Sequence, residues 1–280
     1  MPKNLRNPLL KPIVHMHVPK TGGTWLNETL AAYAPYHFVG FDNSHLPLDP
    51  AFCVKPEMGK LPIQQVVDGY KNISIAYVPG KDEPDNPGRF AAAWKLGIVR
   101  NPFDLLVSYY VHNVGPNSHF RSLRNFYEEG TGNTLPCGWD MINITHNIRS
   151  FDEFIKLFCD PEFAWYHIWF RDFLFYQLFY SDGRPGTDII FRQEKLHEAT
   201  RSFLEFGEYI PAGHDIQRST VNVSSMKKKD YRSYYTDELR ELVEQKCKRE
   251  LSMFTYDFDG PLDDEAFITE IKCITAVKYV

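Results

Sequence analysis

Short runs of apolar, largely β-branched residues alternate along this chain with longer segments of helical periodicity. Ile13-Val14-His15-Met16-His17-Val18 comes first and runs into Pro19. Ile73–Val78 and Lys95–Arg100 follow, the latter stopped by Asn101-Pro102, and Asp188–Phe191 comes late. Apolar runs of this length between turn signals read as buried parallel strands. Helical segments fill the intervals: Thr24 to about Tyr33, Phe103 to about Asn113, Phe151–Cys159, Trp165–Tyr180, Lys195–Phe206 and Thr236–Phe254. Pro102 suits a first helical position and Thr236 a cap. The alternation predicts an α/β fold, a single domain over 1–280 with a central parallel β-sheet flanked by helices. Pro79–Gly88 and Gly115–Gly138 are rich in Gly, Pro and Asn, so loops or lids are expected near 79–92 and 114–138.

Composition narrows the class. With 280 residues, 43% hydrophobic and 24% charged, the chain is an ordinary globular sequence long enough to need no disulfide or metal staple. A formal net charge of −5 argues against a nucleic-acid partner, which would call for a basic face. It also makes a long polyanion a poor fit as substrate. The five cysteines, Cys53, Cys137, Cys159, Cys247 and Cys273, form no C-x-x-C pair, so neither a disulfide framework nor a zinc site is expected. Residues 1–12 hold no apolar core of a signal peptide, and no run is long enough for a membrane span. The expected setting is cytoplasmic, and the sequons at Asn27, Asn72, Asn143 and Asn222 are read as chance. Aromatic residues reach 15%. Most belong in a core, and the dense segment Trp165–Tyr180 is first a core helix and second the edge of an acceptor pocket.

The chemistry starts where the first strand turns into the first helix, at Val18-Pro19-Lys20-Thr21-Gly22-Gly23-Thr24-Trp25. A helix N-terminus offers free N–H groups and partial positive charge, which together attract an anion. Gly22 and Gly23 let the backbone approach closely, Lys20 adds a mobile charge, and Thr21 and Thr24 add hydroxyl donors. A phosphate-like ligand is expected. The order is not that of a Walker A loop, where the lysine follows the glycines, and no apolar strand ends in a magnesium-binding Asp.

His17-Val18-Pro19-Lys20-Thr21-Gly22-Gly23-Thr24 resembles the phosphosulfate-binding loop of sulfotransferases that use 3′-phosphoadenosine 5′-phosphosulfate (PAPS), most of all their carbohydrate-type and bacterial branches. A second element of that family, an Arg followed eight residues on by a Ser, is matched by Arg100 and Ser108 around Gly97-Ile98-Val99-Arg100-Asn101-Pro102-Phe103. Arginine gives a planar, permanently charged fork suited to phosphate oxygens. Ile189–Leu196 and the stretch from Asn222 to Tyr235 are similar to later segments of these enzymes, while 36–93 and 114–186 are the least matched. The basic run Lys227-Lys228-Lys229 reads as a solvated charge run before a phosphate contact.

The resemblance implies a P-loop-NTPase-like sulfotransferase fold. It also implies PAPS as co-substrate, bound by Pro19, Lys20, Thr21, Gly22, Gly23, Thr24 and Trp25, with Arg100 and Ser108 on the 3′-phosphate, and no required metal. Sulfuryl transfer depends on positioning and on stabilising charge at the leaving phosphate, a role suited to Lys20. The acceptor needs a general base, and His is the natural choice. His45, in a loop after the first helix, ranks first, then His17, then His112, with a carboxylate as the alternative. His15 and His17 are read as pointing to opposite sides of their strand, so that only one faces the cleft. The favoured acceptor is a hydroxyl or amine of a small molecule such as a natural product or alkaloid. A carbohydrate or glycolipid is the alternative. A P-loop kinase and a non-catalytic nucleotide-binding protein are the competing classes.

Overall fold

The computed structural model describes residues 11, 13–18, 20–34, 37–40, 93–114, 148–161, 173–180, 183–216 and 230–268. In chain order its elements are β1 (Ile13–Met16), α1 (Gly23–Tyr33), β2 (His37–Gly40), β3 (Trp94–Val99), α2 (Pro102–Tyr109) and α3 (Phe151–Cys159). There follow α4 (Phe175–Leu178), β4 (Ile189–Arg192), α5 (Leu196–Phe206), α6 (Asp237–Lys246) and α7 (Lys248–Phe254). Three two-residue strands close the series: β5 (Tyr256–Asp257), β6 (Gly260–Pro261) and β7 (Phe267–Ile268). The described residues fall into two compact units, one from within 1–99, 177–223 and 265–280, the other from within 100–176 and 224–264.

The first unit holds a five-stranded sheet in the order β2-β1-β3-β4-β7. β1 pairs in parallel with β2 and β3, and β3 with β4. The parallel core matches the alternation of apolar runs and helices. The edge does not: β7 joins β4 antiparallel, so the sheet is mixed. Two residues make too short a run to show a period. β1 and the last four residues of β3 are buried throughout, as strands covered on both faces must be. One face carries Ile13, Leu96, Ile98 and Phe191, which form a single core with Leu26 and Leu30 of α1 and Phe203 of α5. On the other, Gly97 leaves room for Leu178 and Thr187: a Cβ there would lie 2.5 Å from Leu178 Cδ2.

Aromatic packing organises the second unit. Phe103 meets Tyr235 at 5.3 Å and Phe258 at 4.9 Å, both edge-on, and Phe151 meets Tyr235 at 5.0 Å. Phe154 and Phe158 of α3 are buried, as are Leu239 and Val243 of α6. α3 opens with a capping box, in which Ser150 Oγ accepts from Glu153 N and the Glu153 carboxylate accepts from Ser150 N. α6 is capped by Thr236, as expected, but the predicted helix 236–254 is broken at Cys247 into α6 and α7. α2 starts at Pro102 and gives way at Tyr110 to a π turn reaching Val114, so the predicted segment changes winding midway. The aromatic segment expected to be helical to Tyr180 is helical only over Phe175–Leu178 in its described part, after which Phe179 bridges Pro185. The run Ile73–Val78 and both expected loops, apart from Val114, lie outside the described residues.

Urea unfolding should rank two α3 substitutions. Phe154→Ala empties a fully buried ring position and should cost about 3–5 kcal/mol. Ser150→Ala removes one cap and should cost about 1 kcal/mol. The reverse order would mean that α3 is held by its cap and not by its buried face.

Candidate functional site

Parallel strands β1 and β3 end on the same edge of the sheet, in register Met16 opposite Gly97. β1 stops at Met16, and the chain then turns sharply. Val18 N donates to Met16 O at 3.1 Å, and the buried Thr21 hydroxyl donates to Val18 O at 2.8 Å. Lys20 takes φ 62° and Gly22 φ 95°. Positive φ at alternate residues is how a chain aims neighbouring N–H groups at a common point. It costs a non-glycine residue such as Lys20 about 1–2 kcal/mol.

Gly22 is the N-cap of α1 and, lacking a side chain, caps nothing; no acidic residue stands in the first turn. α3 and α6 are built differently, with Ser150 or Thr236 at the cap and two acidic residues in the first turn of each. The first N–H groups of α1 are therefore suited to an outside anion. Nothing larger than glycine fits the turn. A Cβ on Gly22 would stand 2.8 Å from Leu196 Cδ2, and one on Gly23 2.4 Å from His17 Cδ2 and 2.9 Å from His15 Cε1.

The two histidines do not diverge. Residues two apart on an extended chain share a face, and the rings of His15 and His17 lie 5.3 Å apart on the side of α1. This corrects the expectation of opposite sides. His15 is fully buried, and its Nδ1 lies 2.7 Å from Asn27 Oδ1. That bond assigns the proton to Nδ1 in the neutral tautomer. His17 is partly buried, and its backbone carbonyl accepts from Gln177 Nε2 at 3.0 Å. Gln177 is itself 2% exposed. Trp25, half-buried, packs 5.9 Å from His197, and Thr24 is exposed.

Arg100 directly follows β3 and belongs to the second unit. Its Nε and Nη2 meet Asp104 Oδ2 at 2.7 and 2.5 Å. Asn101 Oδ1 accepts from Phe103 N to cap α2, while its Nδ2 donates to Asp257 O at 2.8 Å. Ser108 is buried further along α2. Tyr235 donates its hydroxyl to Phe103 O at 2.9 Å. Burial pushes the Tyr231 phenol up to about 12 and the Tyr235 phenol well above its usual value, so neither serves as a base near neutral pH. Burial likewise raises the thiols of Cys159, to about 12, and of Cys247, which makes both poor nucleophiles.

Among the described residues, no group of His, Cys, Asp or Glu is arranged to hold a metal ion, and no helix is long and apolar enough to cross a membrane. Pro19, His45 and Lys227–Lys229 lie outside the described residues, and His112 is exposed on the π turn.

A sequence model described as the sulfotransferase family matches residues 10–257. The chain belongs to the sulfotransferase family. No curated protein and no solved structure matches it. Family membership supports a transferase enzyme acting on sulfuryl groups. Within this sulfotransferase the match spans both the β1–α1 turn and Arg100 to Ser108. Three supporting residues escaped the sequence reading. Gln177 gives no local signal, because its partner lies 160 positions away. Asp104 gives one, its spacing of four residues from Arg100. Asn27 stands four residues along α1 from Gly23, which brings it to the histidine side.

Imidazole spectra should report the seating of α1. Gly23→Ala should shift the ring resonances of His15 and His17 and leave in place those of His214, which packs edge-on to Tyr33 at the far end of α1. Unchanged His15 and His17 resonances would refute the close approach at Gly23.

Proposed function

We propose that the chain transfers the sulfuryl group of PAPS to a hydroxyl or amine of a small acceptor. One observation carries the reading: α1 begins without a side-chain cap at a glycine of φ 95°, with Lys20 two residues before it. A Cβ at Gly22 would collide with Leu196 and one at Gly23 with the rings of His15 and His17, so only glycine lets the turn bring its N–H groups to the start of α1, and such a turn fits a bound phosphosulfate. In this reading the N–H groups of Gly23, Thr24 and Trp25 and the Lys20 ammonium hold the 5′-phosphosulfate. Thr21 contributes by locking the turn through Val18 O. Arg100 and Ser108 hold the 3′-phosphate.

Charge grows on the bridging oxygen as the sulfur–oxygen bond breaks, and Lys20 stabilises it there. The acceptor proton goes to His45, with His17 as the second choice. His17 is the weaker choice because its ring is packed against Gly23 and its carbonyl is tied to Gln177. The acidic balance of the chain favours a neutral or cationic small acceptor over a polyanionic one. The single-domain reading and the cytoplasmic setting stand beside these as parts of the same proposal.

Two measurements test the assignments. Arg100→Ala should weaken binding of 3′-phosphoadenosine 5′-phosphate (PAP) roughly ten- to a hundredfold and leave adenosine 5′-phosphosulfate, which lacks the 3′-phosphate, nearly unchanged. Equal losses for both ligands would remove Arg100 from the 3′-phosphate. In turnover assays, Lys20→Ala should lower the rate at every pH. His45→Ala should cost about two or more orders of magnitude and erase the acid limb of the profile. A His45→Ala enzyme that keeps its acid limb places the base elsewhere.

A further inference from the structure

Arg100 does not act alone. Its Nε and Nη2 converge on one oxygen of Asp104, at 2.7 and 2.5 Å. The side chain of Arg100 is 7% exposed and that of Asp104 22%, so this is no solvated surface pair. Backbone on both sides of the pair is fixed. Asn101 caps α2 through Phe103 N and reaches Asp257 O, and the Phe103 carbonyl is held by Tyr235. Asp104 and Ser108 are four residues apart on α2 and share a face.

A carboxylate is a costly companion for a guanidinium that must attract a phosphate. It cancels the charge that would draw the anion, so by charge alone the chain would bind better without it. Geometry supplies the compensation. A guanidinium is a planar group with five N–H bonds. A carboxylate oxygen on the Nε/Nη2 side stops the plane from turning and sends the Nη1/Nη2 end in one direction. A phosphate gains two parallel bonds only from a fork held in that way. An arginine without such a partner must give up rotamer freedom on binding.

We propose that Asp104 is a positioning residue for selection of the 3′-phosphate. It grips one side of the Arg100 guanidinium so that the Nη1/Nη2 end meets the phosphate, and it does not touch the nucleotide. The proposal rests on the assignment of Arg100 to the 3′-phosphate made above.

The test is calorimetric titration of the full chain with PAP and with adenosine 5′-phosphate, which differs from PAP only in lacking the 3′-phosphate. In the unaltered protein PAP should bind more tightly. Asp104→Asn keeps the shape and removes the negative charge. It should weaken PAP about tenfold and leave adenosine 5′-phosphate within about twofold. In an Arg100→Gln background, Asp104→Asn should have no further effect on either ligand. Asp104→Glu displaces the carboxylate by one methylene and should give an intermediate loss for PAP; it decides the matter if Asp104→Asn does not fold. Unchanged or tighter PAP binding by Asp104→Asn overturns the proposal, because charge then outweighs positioning. Equal losses for the two nucleotides also overturn it, since they mark a purely structural role. An unaltered protein that binds both nucleotides equally refutes the Arg100 assignment itself, a result distinct from the other two.

Discussion

A helix that begins without a capping side chain must find partners for its first N–H groups outside itself. α1 is such a helix, and much of the first unit serves to keep its N-terminus in place. Gly22 turns the chain at φ 95° and rests against Leu196 at the start of α5. Gly23 rests against the rings of His15 and His17. His15 is anchored in turn to Asn27 on α1, and His17 to Gln177 on α4. The sheet is the frame for these contacts, because β1 lies between β2 and β3 and cannot move without both. The energy that fixes the turn comes from burial around it. The Lys20 backbone, with φ of 62°, draws on that energy and returns an oriented donor.

In the second unit the fixed element is α2. Phe103 is locked between Tyr235 and Phe258 and by hydrogen bonds at its N–H and its carbonyl. The polar residues beside it are thereby spaced without effort of their own. Arg100, Asn101, Asp104 and Ser108 all take their places from a helix whose hydrophobic side is set by aromatic contacts. Suppressed phenol and thiol ionisation in this unit is the electrostatic mark of the same dry packing.

What could be read from the sequence was what local pattern controls. Apolar runs located β1, β3 and β4 to within a residue or two, and the Thr236 cap marked the start of α6. The β1–α1 turn was legible because glycines after a strand have few other uses. β2 and β7 were not: His37–Gly40 begins with a polar residue and ends in glycine, Phe267–Ile268 is only two residues long, and only pairing makes them strands. The break at Cys247 lies in a segment rich in good helix formers, so helix propensity along the sequence did not mark it. The placing of His15 and His17 could have been read correctly, since a period of two puts them on one face. Gln177 could not, because contacts across 160 residues leave no trace in local sequence.

The two units interleave along the chain, and this governs the order in which the protein can be assembled at the ribosome. β1, β2 and β3 all come from the first 99 residues, yet the neighbour that covers β3 is β4, which starts at Ile189. At about 5–20 residues per second, β3 waits on the order of ten seconds for that partner to be synthesised. Through that interval its apolar edge is open to chaperones and to wrong partners. The antiparallel seal on β4 comes later still, from Phe267 and Ile268. The nascent chain must therefore carry an unfinished sheet past the synthesis of nearly all of the second unit, and its yield in the cell is set by how well that sheet is shielded meanwhile.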